Sequence, residues 1–357
     1  MSDARIIYVG DLHVGARNGS QVFIAEFTKF CRDVLIPLVD RVEPHAVVFL
    51  GDLFDSRVAI PIQAIAAVVS ELLDPLDQMG VNAFFLLGNH DLKYRNTLTP
   101  NSVAPLLKRY PTLICVDKPT DVDIAGVKHL IVPWICDENR IQVELAIDET
   151  DAEVLCGHFE ITGFAMTGGR PCEGGIDPER LQKFKRVYSG HFHGAQDDGV
   201  IKYVGSAYQL TRDDTGILKE IVFRDGCTEH VVENPSEVFH RVYVEGSEVD
   251  GEPLADWIKT RAAGYSQKYV DVIVSNPEGD VVDRVVTALE DAEAENVLVI
   301  DPTVSQSEMS EDEVVDIQTK STEQLIREYV ETDASIRDED RERVFEILNE
   351  AYKKVAR

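Results

Sequence analysis

The chain has 357 residues, 44% of them apolar, with 35 basic and 64 acidic side chains and a formal net charge of -29. Such a content can build cores for two or three domains and excludes a disordered chain, while the lack of any run of about 18 apolar residues excludes a membrane-spanning helix. The charge argues against a simple basic nucleic-acid binder, but it is uneven: residues 1–120 hold 11 basic and 13 acidic groups, residues 121–240 hold 11 and 22, and residues 241–357 hold 13 and 29.

The polar start, Met1 to Arg5, reads as lacking a secretory signal. The six cysteines are scattered without a Cys-x-x-Cys pair and read as reduced thiols of a cytoplasmic protein. A short apolar strand over 5–10 ends in Asp11-Leu12-His13. Helical spacing of Phe23, Phe27, Phe30 and Val34 predicts a helix over about 20–42. A strand over 46–50 ends in Gly51-Asp52-Leu53-Phe54-Asp55, and a helix over about 61–80 follows. The apolar run Ala83 to Leu87 ends in Gly88-Asn89-His90-Asp91, with Asp91 as a carboxylate to brace its neighbours. This β-α-β-α-β alternation favours a parallel or mixed sheet covered by helices. A helix is predicted over 102–110, then strands at 130–132, at 154–156 ending in Gly157-His158, and at 187–189 ending in Gly190-His191-Phe192-His193. Residues 200–234 read as short strands closing a second sheet.

The texture changes near Asn234-Pro235. Residues 236–300 read as a small α+β unit: strands at 239–244, 269–274 and 296–300, helices at 254–263 and 281–292. Residues 301–320 are acidic and aperiodic, a linker. Residues 321–357 read as two helices, the first opened by a capping box at Ser321 to Gln324.

The chemistry lies at the strand ends: Asp11, His13, Asp52, Asn89, His90, His158, His191 and His193. Each piece alone has an ordinary reading. Gly-Asp makes turns, and a lone His158 is more often a satisfied core histidine. Gly-His-x-His is stronger, because alternate residues of an extended segment point the same way. Five such elements in one chain make coincidence rare. Oxygen and imidazole ligands suit Mn, Fe or Zn better than Ca, and a carboxylate able to bridge suits a two-metal site for phosphoryl displacement. His45, His129, His230 and His240 lack this context and read as structural.

The order Asp-x-His, Gly-Asp, Gly-Asn-His-Asp, Gly-His, Gly-His-x-His resembles that of the calcineurin-like metallophosphoesterases. Gly10-Asp-Leu-His-Val-Gly15 and Gly51-Asp-Leu-Phe-Asp55 resemble the SbcD branch, the meiotic-recombination-eleven type of DNA repair nuclease. Lys118-Pro-Thr120 and Ile131-Val-Pro-Trp-Ile-Cys-Asp-Glu-Asn139 are similar to tailed-phage versions. The resemblance implies an α/β fold, a metallophosphoesterase β-sandwich flanked by helices over 1–235, a DNA-binding capping domain over 236–300 and a helix pair that docks a partner. It implies Asp11, His13 and His193 on one metal, Asn89, His158 and His191 on the other, Asp52 bridging, and His90 steadying the phosphate or protonating the leaving oxygen. Some members have a second histidine three residues after the bridging aspartate; this chain has Asp55 there. Two Mn²⁺ are the implied cofactors, with Mg²⁺ as a substitute. Implied partners are DNA and an SbcC-type SMC-like ATPase, in a homodimer within a heterotetramer, in a bacterial or archaeal host. Arg57, Lys93 and Arg95 are candidates to hold the DNA backbone. Leu325, Tyr329, Phe345, Leu348 and Tyr352 are candidates for the ATPase contact. The alternative on the same site is a small-molecule or nucleotide phosphodiesterase.

Overall fold

A computed structural model describes residues 3–301, 330, 341 and 343–345. Of the candidate partner contacts, Leu325, Tyr329, Leu348 and Tyr352 lie outside the described residues, as do the linker and most of the tail; Phe345 is helical and buried against its own chain. Among the described residues no helix is long and apolar enough to cross a membrane.

Three sheets organise the chain. In the first, Arg5–Val9, Ala46–Phe49, Ala83–Leu86 and Leu113–Val116 run parallel in that spatial order. In the second, Val127–Ile131, Val154–His158, Arg186–Gly190 and Ile201–Tyr203 are likewise parallel, with antiparallel edges at Thr120–Ile124 and Gln196–Asp197. The two sheets stack face to face. Ile6, Tyr8, Val48 and Leu86 meet Ile131, Cys156 and Tyr188 in a core between them, where the Tyr8 and Tyr188 rings stack. The alternate residues Ile7, Val9, Val47, Phe49 and Phe85 face the other way, onto helical segments at 21–42 and 62–78. On the second sheet, Leu130, Val132, Leu155 and Val187 pack under the helix Arg140–Glu149. Strands buried on both faces read as continuous apolar runs, which is why the sequence shows them plainly.

The structure departs from expectation in three places. Only Gln196–Asp197 and Ile201–Tyr203 complete the second sheet; Lys219–Asp225 and Thr228–Asn234 form a hairpin that joins the first, antiparallel to Arg5–Val9. The apolar pattern of 219–234 records burial but not which sheet edge is open. The predicted helix over 102–110 is confined to Ala104–Leu107. The helix Arg140–Glu149 escapes sequence reading because only Val143 and Ile147 are buried, while Ile141 and Leu145 face solvent. The two long helical segments each widen to a π-helical turn, at Cys31–Leu35 and Val68–Leu73, and Arg32 bridges both turns by a bidentate pair with Glu71 at 2.7 Å.

The third sheet, with Phe239–Glu245, Tyr269–Ser275 and Asn296–Ile300 parallel, has its own core around Val242, Trp257, Val272 and Val285. It touches the first unit through Phe239 and Tyr269. The Arg17 guanidinium lies 4.8 Å from the centre of the Tyr269 ring and 5.2 Å from that of Phe239, a cation–π contact between the two bodies.

His129 is structural, as its sequence context suggests. Its Nδ1 donates to the Val127 carbonyl at 2.8 Å and its Nε2 accepts from the Tyr8 hydroxyl at 2.9 Å. Burial pushes its pKa down to about 4. An unfolded histidine takes a proton near pH 6.5, so this contribution to stability is complete above that value and is lost as pH falls toward 4. A His129→Asn chain is expected to lose about one proton's worth of pH dependence between those limits, measured as the slope of unfolding free energy against pH.

Candidate metal centre

The parallel strands of both sheets end at the same rim of the sandwich, and every strand-end residue singled out in the sequence meets there. Asp11, His13 and His193 bring ligand atoms within 4.8 Å of one another; so do His13, Asp52 and His90, and Asp52, His158 and His191. The His13 and His193 Nε2 atoms face each other at 3.1 Å. Asp52 Oδ2 lies 3.5 Å from His13 Nε2 and 3.2 Å from His158 Nε2. Asn89 Oδ1 lies 2.9 Å from His158 Nε2 and 3.0 Å from His191 Nδ1.

The backbone is bent to achieve this. His13, Asp52 and His191 have φ of 42°, 52° and 89°, the left-handed region that non-glycine residues reach at a cost of about 1–3 kcal/mol each. Surrounding hydrogen bonds hold them. The Asp52 carbonyl accepts from the Leu12 and His13 amides at 3.2 and 2.9 Å. The Asp11 carboxylate accepts from the His191 amide at 3.0 Å. Asp91 braces the backbone rather than the adjacent Asn89 and His90 side chains: its carboxylate accepts from the amides of Asp52, Leu53 and Gly88 at 2.9, 3.1 and 2.9 Å. Gly88 cannot be larger, because a Cβ there would strike Asp52.

The donor set fits divalent cations. His158 Nδ1 sits 2.7 Å from the Leu50 carbonyl, which can only accept, so this nitrogen carries the proton. When the ring is neutral, its Nε2 lone pair points at two oxygens, Asn89 Oδ1 and Asp52 Oδ2. Lone pairs converging on one point repel unless a cation lies among them. Asp11, Asp52 and His158 are 0%, 2% and 0% exposed, and carboxylates this deep need a counter-charge. A proton plays that part in the bare protein. Against burial, which lowers it, Asp52 and Asp11 raise the His158 pKa to about 9. Against burial, which raises it, His158 and His13 hold the Asp52 carboxyl well below the usual carboxylate range. Cations at the same place relieve both groups.

His90 adjoins His13 and Asp52 and is held by its own hydrogen bonds. Its amide donates to Asp52 Oδ1 at 2.7 Å, and its Nδ1 donates to the Asp55 carbonyl at 2.6 Å, which leaves Nε2 free. Burial, aided by His13, lowers its pKa. Arg57 and Arg95 reach the rim together with Asn89 and His191, around a cavity of about 330 Å³. Lys93 is exposed and does not line that cavity.

Four neighbours have no role in the sequence reading. Asp55 Oδ1 lies 3.3 Å from His13 Nδ1, so one residue orients both His13 and His90; its oddity, an aspartate three residues after Asp52, was the available clue. Glu160 Oε1 lies 3.4 Å from His191 Nε2. Trp134 and Arg140 border the cavity; Trp134 belongs to the phage-like run over 131–139, which assigned it no role.

The family model described as calcineurin-like phosphoesterase matches residues 4–195, more than half of the chain. The chain belongs to this family, and its centre is that of a metallophosphoesterase. It is 30% identical over 306 residues, 85% of its own length and 85% of the relative's, to exonuclease subunit 1 of Enterobacteria phage T4. Among solved structures, a protein of unknown function from Aquifex aeolicus matches 47% of this chain and 83% of its own at 15% identity, with a TM-score of 0.26.

Removing the brace tests the construction. Asp91→Asn keeps one acceptor oxygen for three amides, and loss of such a support weakens metal affinity about 10–100-fold. Calorimetric titration of the variant with Mn²⁺ is expected to show that loss while the circular dichroism spectrum stays native.

Proposed function

We propose that this chain is the metal-dependent nuclease subunit of an SbcCD-type recombination and repair complex and hydrolyses DNA phosphodiester bonds. The observation that carries the reading is the convergence of seven ligand-type side chains with His90 beside them. The phage relative, an exonuclease subunit by name, supports DNA as substrate and a companion subunit.

In this reading Asp11, His13 and His193 would hold one Mn²⁺, Asn89, His158 and His191 would hold the other, and Asp52 would be shared by both. When bound, the pair supplies Lewis acidity at the phosphate and lowers the pKa of water. Asp55 fixes the His90 tautomer, so that Nε2 meets the substrate. A phosphate arriving there raises the His90 pKa, since an opposite charge favours the imidazolium. The proton then passes from Nε2 to the leaving oxygen. Arg57 and Arg95 hold the strand by its phosphates, and Lys93 adds charge further out.

Residues 1–235 form the nuclease domain, 236–300 the capping domain that helps hold DNA, 301–320 a linker, and 321–357 the docking site of an SMC-like ATPase. Two copies pair through the nuclease domain in the host cytoplasm. A second reading, a phosphodiesterase for small esters or nucleotides, draws on the modest cavity of about 330 Å³.

End-labelled duplex and single-stranded DNA, compared with nitrophenyl phosphodiesters, decide between them. Mn²⁺-dependent cleavage of DNA is expected; turnover of the small esters alone would favour the second reading. His90→Asn is expected to bind metal as the parent does and to lose about 10²–10⁴-fold in kcat. Undiminished cleavage by that variant removes His90 from the reaction.

A further inference from the structure

Trp134 and Arg140 hold no cation and move no proton, yet they stand on the open side of the metal centre. The Trp134 amide donates to the Leu87 carbonyl at 2.7 Å. The Asn139 side chain donates to the Trp134 carbonyl at 2.9 Å and accepts from the Cys136 amide at 2.8 Å. The backbone of Trp134 is therefore fastened to the strand end that carries Asn89, and the indole projects from that fixed point. Its ring lies 5.1 Å from that of His191 and 5.8 Å from that of His158. Two cavities of about 330 and 360 Å³ adjoin there, and Trp134, Ile135, Arg140 and Glu160 line both. One cavity takes in Asn89, His191, Arg57 and Arg95; the other extends to Arg180.

Among the described residues the Arg140 guanidinium has no ion pair or hydrogen bond, in a chain with 64 acids. Arg180, at the far end, is already paired with Asp148 at 2.7 Å. Among the described residues, the unengaged cations leading away from the metal centre, Arg57 and Arg95, therefore end at Arg140. Asp137 and Glu160 also line the inner cavity, so its wall holds three arginines against two carboxylates.

We propose that Trp134 and Arg140 form a nucleoside subsite, in which the indole takes the base next to the scissile phosphate and Arg140 takes the phosphate beyond it. The inference rests on the nuclease reading above. Each base offers a flat face that stacks on an aromatic ring regardless of sequence, and a guanidinium grips a phosphate by two parallel hydrogen bonds. Each cavity lies near the small end of the range for ligand pockets, about 300–1,000 Å³, which suits single nucleotide units. The indole is half-buried on a fixed backbone and flanked by the His158 and His191 rings, which narrows the ordering that stacking requires. A simple ester reaches the cations but spans neither contact, so the subsite sets apart a nucleic-acid strand from other phosphodiesters.

The test uses the full chain with Mn²⁺ and two single-stranded oligonucleotides, one complete and one with a single abasic residue beside the cleaved bond. The parent is expected to cleave the complete strand faster and to stall at the abasic position. Trp134→Ala is expected to lose about 10–100-fold in kcat/KM on the complete strand and little on the abasic one. Trp134→Phe should retain most of the preference. Arg140→Gln is expected to raise KM on both strands with kcat unchanged. Equal rates of the parent on both strands overturn the subsite whatever the variants do, as does a Trp134→Ala protein whose preference matches the parent's. If the metal-loaded parent cleaves neither strand, the nuclease reading fails, and the subsite with it.

Discussion

The Asp91 carboxylate is the tie on which the centre depends. It collects the amides of Asp52, Leu53 and Gly88, and so joins the ends of two neighbouring parallel strands into one rigid corner. Without that tie, the left-handed turn at Asp52 and the tight passage beside Gly88 lose what opposes their strain. Asp52 then supports the opposite loop, since its carbonyl holds the amides of Leu12 and His13. The second sheet attaches to the same corner through Asp11, whose carboxylate holds the His191 amide. Four strand ends thus fix one another in series, and the imidazoles follow from the backbone.

Much of this was legible in the chain itself. Strands buried on both faces leave unbroken apolar runs, and the residues that end those runs carry ligand chemistry. Asp11, His13, Asp52, Asn89, His158, His191 and His193 could therefore be named in advance, and the structure brings them together. Pairing between distant strands could not be read. The hairpin 219–234 returns to the first sheet because an edge beside Arg5–Val9 is open, a fact of topology that local pattern does not encode. The helix Arg140–Glu149 hid behind a buried stripe of two side chains, and the short Ala104–Leu107 helix was overread. Trp134, Arg140 and Glu160 are single residues in loops or first turns, and their meaning appears only when the second sheet faces the first. Asp55 lies between these cases: its position was conspicuous, its hold on two histidines was not.

The strong negative charge and the proposed substrate are compatible because of where the acids lie. Residues 1–120, which supply Asp11, His13, Asp52, Asn89 and His90, are close to neutral, and the excess acids are downstream. Of the acids at the centre, Asp11, Asp52 and Asp91 are buried and engaged by imidazoles or amides. The pair of divalent cations in the proposed reading would add positive charge at this rim, where a polyanion would meet a local field of opposite sign.

Arg17 gives this arrangement mechanical reach. It sits four residues beyond His13, in a loop whose own backbone is left-handed at Arg17 and Asn18, and it rests on Phe239 and Tyr269 of the third sheet. The segment presenting a ligand on one flank is thereby gripped on the other by a separate body. The His13 loop and the third sheet therefore share one contact, and a shift of either body is felt at the other through Arg17.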